Sequence, residues 1–154
     1  MNIRSLALLF LAAASLGIVT KAAAADNPAL MPPIKAVYDH YLKIQAQLAQ
    51  DSLKGVDEHA SAIVKAVQGD TMKMLPSSVA NHADKLANAK DLPAAREAFK
   101  PLSNSLIKYL ADHKTPKGQY YKVYCPMADA NWLQADKKIQ NPYLGKAMLD
   151  CGEI

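Results

Sequence analysis

Apolar residues recur along most of this chain at alternating spacings of three and four, the pattern of helices that bury one face. Ile34, Val37, Tyr41, Ile44 and Leu48 form the first such stripe. Pro32 and Pro33 suit its first turn, where a missing N–H costs little. A second helix is predicted over 56–67, with Val56, Ala60, Ile63, Val64 and Val67 inward and Gly69 as its stop. A third starts around Pro76 and carries Val79, Ala83 and Leu86. The fourth opens at Asp91, a good N-cap, and continues through Phe99, Leu102, Leu106, Tyr109 and Leu110. Pro101 falls inside that pattern and is expected to kink the helix or split it, because the ring removes a backbone hydrogen bond. Amphipathic helices with short connections bury their stripes against one another. The expected fold class is therefore all-α, an up-down bundle of about four helices.

The texture changes near Pro116. "YYKVYC" is rich in tyrosine and valine and predicts a short strand, with "NWLQ" as its partner across "PMADA". "NPYLGKAMLDCGE" then reads as a short helix opened by Asn141 and Pro142 and closed near Gly152. A strand and helix extension over 117–154 is thus expected on the bundle.

Ahead of the helices, Arg4, an apolar run from Leu6 to Val19, and Ala23-Ala24-Ala25 form the three-part pattern of a secretory signal peptide. The expected division is a signal peptide at 1–25 and one domain at 26–154. The apolar run is short for a membrane span, and no cysteine follows it to carry a lipid. An exported periplasmic protein without a stable membrane anchor is the expectation. Removing Arg4 and Lys21 lowers the formal charge of +4 by two, leaving a mixed surface with no basic block. Nucleic acid is not an expected partner.

The chain has only two cysteines, and each has a methionine close by. Cys125 and Met127 flank a proline, while Met148 and Cys151 are three apart, on one face if that segment is helical. Thiolate and thioether are soft donors that together favour Cu(I) over hard cations. Cys125, Met127, Met148 and Cys151 are the candidate metal ligands if the end of the chain folds back on the strand. The other reading is a Cys125–Cys151 disulfide, the common fate of two cysteines in an oxidising compartment. Closing that loop would stabilise the fold by about 3.5 kcal/mol on the chain-entropy model. Met72 and Met74, in "TMKML", read as loop anchors.

His40, His59, His82 and His113 are scattered, and none stands four residues from another histidine or a cysteine. Only His113, at the end of the fourth helix, is kept as a weaker candidate ligand. Enzyme signatures are missing: there is no Gly-rich phosphate loop, "HExxH", "GxSxG" or CxxC. A Cys125–His113 nucleophile pair is conceivable but has no further support, and a non-enzymatic protein is expected.

"AREAFKPLSNSLIKYL" followed by "YKVYCPMADANWLQADKKIQNPYLGKAMLDCGE" resembles an exported bacterial domain-of-unknown-function family. That family occurs alone and at the C-terminus of CusB-like copper/silver efflux adaptor proteins. The matching positions are Arg96, Phe99, Leu102, Ser103, Cys125-Pro126-Met127, Trp132-Leu133, Asn141-Pro142-Tyr143, Gly145, Met148-Leu149 and Cys151-Gly152-Glu153. The C-terminal part carries the specificity, and the helices before Asp91 add little. "YCPM" also resembles the start of small heavy-metal-binding modules on such efflux systems. Ala128 stands where those have histidine, and no CxxC follows.

The resemblance implies a helical domain in a heavy-metal context. The expectation is capture of copper(I) or silver(I) by Cys125 and Cys151, with Met127 or Met148 as a third donor. The ion would be buffered or handed to an envelope metal-efflux component. Trp132 is expected to cover the sulfurs, and Arg96 to partner Glu153 or the terminal carboxylate.

Overall fold

The computed structural model describes residues 30–113 and 120–154. The expected signal peptide at 1–25 and the start of the 117–154 extension lie outside these residues. Four helices come first: α1 Pro32–Ala49, α2 Val56–Gln68, α3 Ser77–Ala87 and α4 Leu92–Asp112. A small antiparallel sheet of β1 Tyr121–Cys125 and β2 Ala130–Gln134 follows, and then one 3₁₀ turn, Gly145–Met148. Among the described residues no helix is long and apolar enough to cross a membrane.

The helices form where the apolar spacing predicts. All five stripe residues of α1 are buried, as are Val56, Ala60 and Ile63 on α2 and Val79, Ala83 and Leu86 on α3. Val64 and Val67 are only half-buried. Asp91 caps α4 by accepting the Ala94 N–H at 2.8 Å. Consecutive helices pack on each other, and α4 also carries β2. α1 and α4 meet where the rings of Tyr41 and Phe99 stack at 4.9 Å.

The helical elements depart from expectation in two places. Pro101 does not split α4, which is helical on both sides of it. Its ring forfeits one backbone bond, yet Phe99, Leu102, Ser103 and Leu106 around it are buried, so packing holds the turn. The segment after Pro142 is not a helix up to Gly152 but a single 3₁₀ turn ending at Met148. Asn141 explains the difference: its Oδ1 accepts the N–H groups of Tyr143 and Leu144, which fixes a turn there.

Buried polar groups bind the sheet to the helices. The Tyr41 hydroxyl on α1 lies 2.8 Å from Ser103 Oγ on α4 and accepts the Leu133 N–H of β2 at 3.0 Å. Tyr143 donates to the Asn131 carbonyl at 2.7 Å and also reaches Ser103 at 3.2 Å. Buried Gln134 is fully engaged, accepting from Trp132 Nε1 and donating to the Asp136 and Lys138 carbonyls.

Arg96 pins the other end of this arrangement. It does not reach Glu153, contrary to expectation. Its guanidinium donates to Asp51 Oδ1 at 2.5 Å, to the Leu48 carbonyl at 3.1 Å and to the Pro142 carbonyl at 2.9 Å. It therefore joins α4, the end of α1 and the loop before the 3₁₀ turn. Gly145, at φ 59°, passes so close that a Cβ would collide with both Asp51 and Arg96.

These contacts set three expected outcomes. Tyr41→Phe leaves the Leu133 N–H buried and unpaired, and should destabilise the fold by ~1–3 kcal/mol in chemical denaturation. The Tyr38 hydroxyl is buried with no hydrogen-bond partner among the described residues, so Tyr38→Phe should be neutral or stabilising in the same assay. Hydrogen bonds from Arg96, and then from the Lys146 N–H, hold the Asp51 carboxyl below its ordinary 3.8. Its contribution is present above that value and fades as pH falls through the lowered folded pKa. The melting-temperature gap between wild type and Asp51→Asn should accordingly be constant near neutrality and close under acid.

Candidate functional site

The two cysteines arrive by different routes. Cys125 ends β1, whose alternation turns Val123 and Cys125 inward. A tight turn follows, Pro126 to Asp129, with the Asp129 N–H on the Pro126 carbonyl and Asp129 at φ 43°. The Tyr124 hydroxyl donates to the Asp129 carboxylate at 3.0 Å and holds the turn from the strand side. Cys151 reaches the same place because the chain returns alongside β1. Tyr124 and Glu153 exchange both backbone hydrogen bonds, at 2.9 and 2.8 Å. Asn141, wholly buried, donates its Nδ2 to the Cys151 carbonyl at 2.7 Å.

Gly152 lets the returning chain lie close. A Cβ there would come within 2.7 Å of Val123 and 2.8 Å of the Trp132 ring. Trp132, fully buried and edge-on to Tyr143, thus walls the cysteine region.

Both cysteines are free, and their sulfurs lie 2.6 Å apart. The two are not equivalent. Cys125 is 0% exposed, and burial alone would raise its thiol pKa. The opposing hydrogen bonds, from Cys151, the Ala128 and Met127 N–H groups and the Asn141 side chain, outweigh burial and bring it below its ordinary value. Cys151 is half-buried, and its hydrogen bond to Cys125 raises it. Of the two, Cys125 therefore ionises the more readily, and Cys151 keeps its proton to higher pH.

The remaining candidates are placed differently. Met127 is 65% exposed, at the rim of an open groove of about 410 Å³ that Arg96 and Lys100 of α4 also line. Met148 is 36% exposed. It does not share a helix face with Cys151, because the 3₁₀ turn ends at Met148 and only the Cys151 N–H to Met148 carbonyl bond links them. His113 stacks on Tyr109 at 4.0 Å and donates Nδ1–H to the Tyr109 carbonyl, so its contacts are with its own helix end. Met72 is exposed, and Met74 packs half-buried against the core. Among the described residues, no three His, Cys, Asp or Glu side chains gather as a cation site. The sequence reading did not single out Asn141 as a site residue. A buried Asn before a Pro signals a turn, but nothing in its spacing reveals that it touches both cysteines.

No curated protein and no solved structure matches the chain. One family model does, over residues 37–118. The match falls on the helices and stops before both cysteines, whereas the sequence reading placed the most specific likeness in the C-terminal segment. As the match spans more than half of its length, the chain belongs to the family described as protein of unknown function (DUF3347).

Proposed function

We propose that this protein binds a soft monovalent ion, Cu(I) or Ag(I), through Cys125 and Cys151, and buffers it in the periplasm or passes it to an envelope metal-efflux component. The observation that carries this reading is the meeting of the two thiols, with N–H donors from Met127, Ala128 and Asn141 directed at the Cys125 sulfur. Such donors favour the thiolate, which is the ligating form. Met127 and Met148 supply exposed thioethers on the chain next to each cysteine. Thiolate with thioether selects Cu(I) or Ag(I) over hard cations. The metal is cargo in this reading, and no catalysis is assigned. The resemblance to the family found on CusB-like adaptor proteins points the same way. The scaffold, in our reading, is an up-down bundle that holds the β1–β2 tip rigid while Cys151 sits on a returning segment.

The sulfur separation favours a second reading. A disulfide sets its sulfurs about 2.05 Å apart, whereas two thiolates on one ion, each about 2.3 Å from it, stand ~3.5 Å or more apart. At 2.6 Å the pair is nearer the covalent arrangement. In this reading the cysteines staple an interaction domain with no metal role. Two electrons and two protons would leave to a disulfide-bearing oxidant, itself reduced to a dithiol.

Competition of the fully reduced protein against a chromophoric Cu(I) chelator tests the first reading. A single Cu(I) per chain is expected, lost in Cys125→Ser and in Cys151→Ser with helical circular dichroism retained. Reduced wild type without Cu(I) affinity would overturn it. A thiol count on periplasmic protein purified without reductant addresses the second. Should no free thiol be found, Cys151→Ser should lower the stability by up to about 3.5 kcal/mol.

A further inference from the structure

Two histidines that are far apart in sequence meet on the α1–α2 face. His40 and His59 place their Nδ1 atoms 3.2 Å apart, with ring centroids at 5.3 Å and planes tilted by 42°. Both are half-buried, and His59 is backed by Gly55, whose Cβ position lies 3.9 Å from the ring. A hydrogen bond from one imidazole N–H to the other's lone pair accounts for the contact in the absence of a ligand.

The spacing is also that of two donors on one ion. With metal–nitrogen distances of ~2.0–2.1 Å, nitrogens this far apart subtend an angle of about 100° at the metal, close to tetrahedral. Swivelling the rings turns both lone pairs toward a common point. With both neutral rings carrying their proton on Nε2, the hydrogen bond gives way to two coordinate bonds without net proton release. Each histidine directly follows a carboxylate. Asp39 is paired with Lys35 at 2.7 Å, while Glu58 is exposed. No third His, Cys, Asp or Glu closes the site among the described residues, which leaves the remaining positions to water.

The geometry points to a two-imidazole site at His40 and His59 for a divalent first-row cation, with Cu(II) bound most tightly. Imidazole suits copper, nickel and zinc, and the order of affinities among divalent ions peaks at Cu(II). The site would link α1 to α2, and it uses neither the sheet nor the sulfurs. It therefore stands or falls independently of the dithiol reading.

The test uses the untagged full chain with Cys125→Ser and Cys151→Ser, or wild type with its thiols oxidised if the serine variant does not fold. Cu(II) is titrated by calorimetry and followed by electron paramagnetic resonance. One bound Cu(II) with superhyperfine structure from two imidazole nitrogens is expected. His40→Gln and His59→Gln should each weaken binding by about tenfold or more, while His82→Gln, whose ring meets Ser105 instead, should leave it unchanged. Cu(II) should raise the melting temperature of the parent but not of the two variants. A missing two-nitrogen signal, or equal affinity in His59→Gln, would reduce the contact to a hydrogen bond.

Discussion

The Tyr41 hydroxyl is the constraint on which the rest of the structure leans. It sits at the junction of α1, α4 and β2, facing Ser103 and accepting the Leu133 N–H. A two-stranded sheet is marginal by itself in water, so its place must come from what it rests on. Here four of the five residues of β2 are buried, and its backbone is bonded to the buried hydroxyls of Tyr41 and Tyr143. Fixing β2 fixes β1 through their register, with Cys125 opposite Ala130. The position of one sulfur is thus inherited from a tyrosine on the first helix.

The other sulfur is held by a looser set of contacts. Cys151 depends on the single bridge between Tyr124 and Glu153, on Asn141, and on the close approach allowed at Gly152. One thiol is embedded and surrounded by donors, while the other is partly open. Cys125 is buried among donors, and Cys151 is half-buried on the returning segment.

Much of the helical part was legible because burial repeats at the helical period. Ile34 through Leu48 and Phe99 through Leu110 each announce one face, and Asp91 announces a start. The two strands were legible for a similar reason, since Val123 and Trp132 sit in short β-favouring runs. A split at Pro101 does not occur, because local propensity says nothing about the packing of its neighbours. The segment after Asn141 misled because a 3₁₀ turn and a short helix share the same opening signals. The partner of Arg96 was hidden for a different reason. Asp51 lies on a loop, and a loop residue has no period from which to read its neighbours. The meeting of His40 with His59 was out of reach likewise, because it depends on how two helices are set in rotation across Gly55. The cysteine pair was foreseen as a pair, but not its uneven electrostatics, which come from backbone N–H groups that every residue shares.

The bridge at Tyr124 has one more consequence. Strand edges with unpaired N–H and C=O groups attract other strands, and β1 has β2 on only one side. Glu153 occupies the opposite side at Tyr124. The returning segment therefore acts as a guard on the sheet as well as a carrier of sulfur. At Tyr124, then, the backbone groups that a strand from a second molecule would need are already taken by the chain's own end.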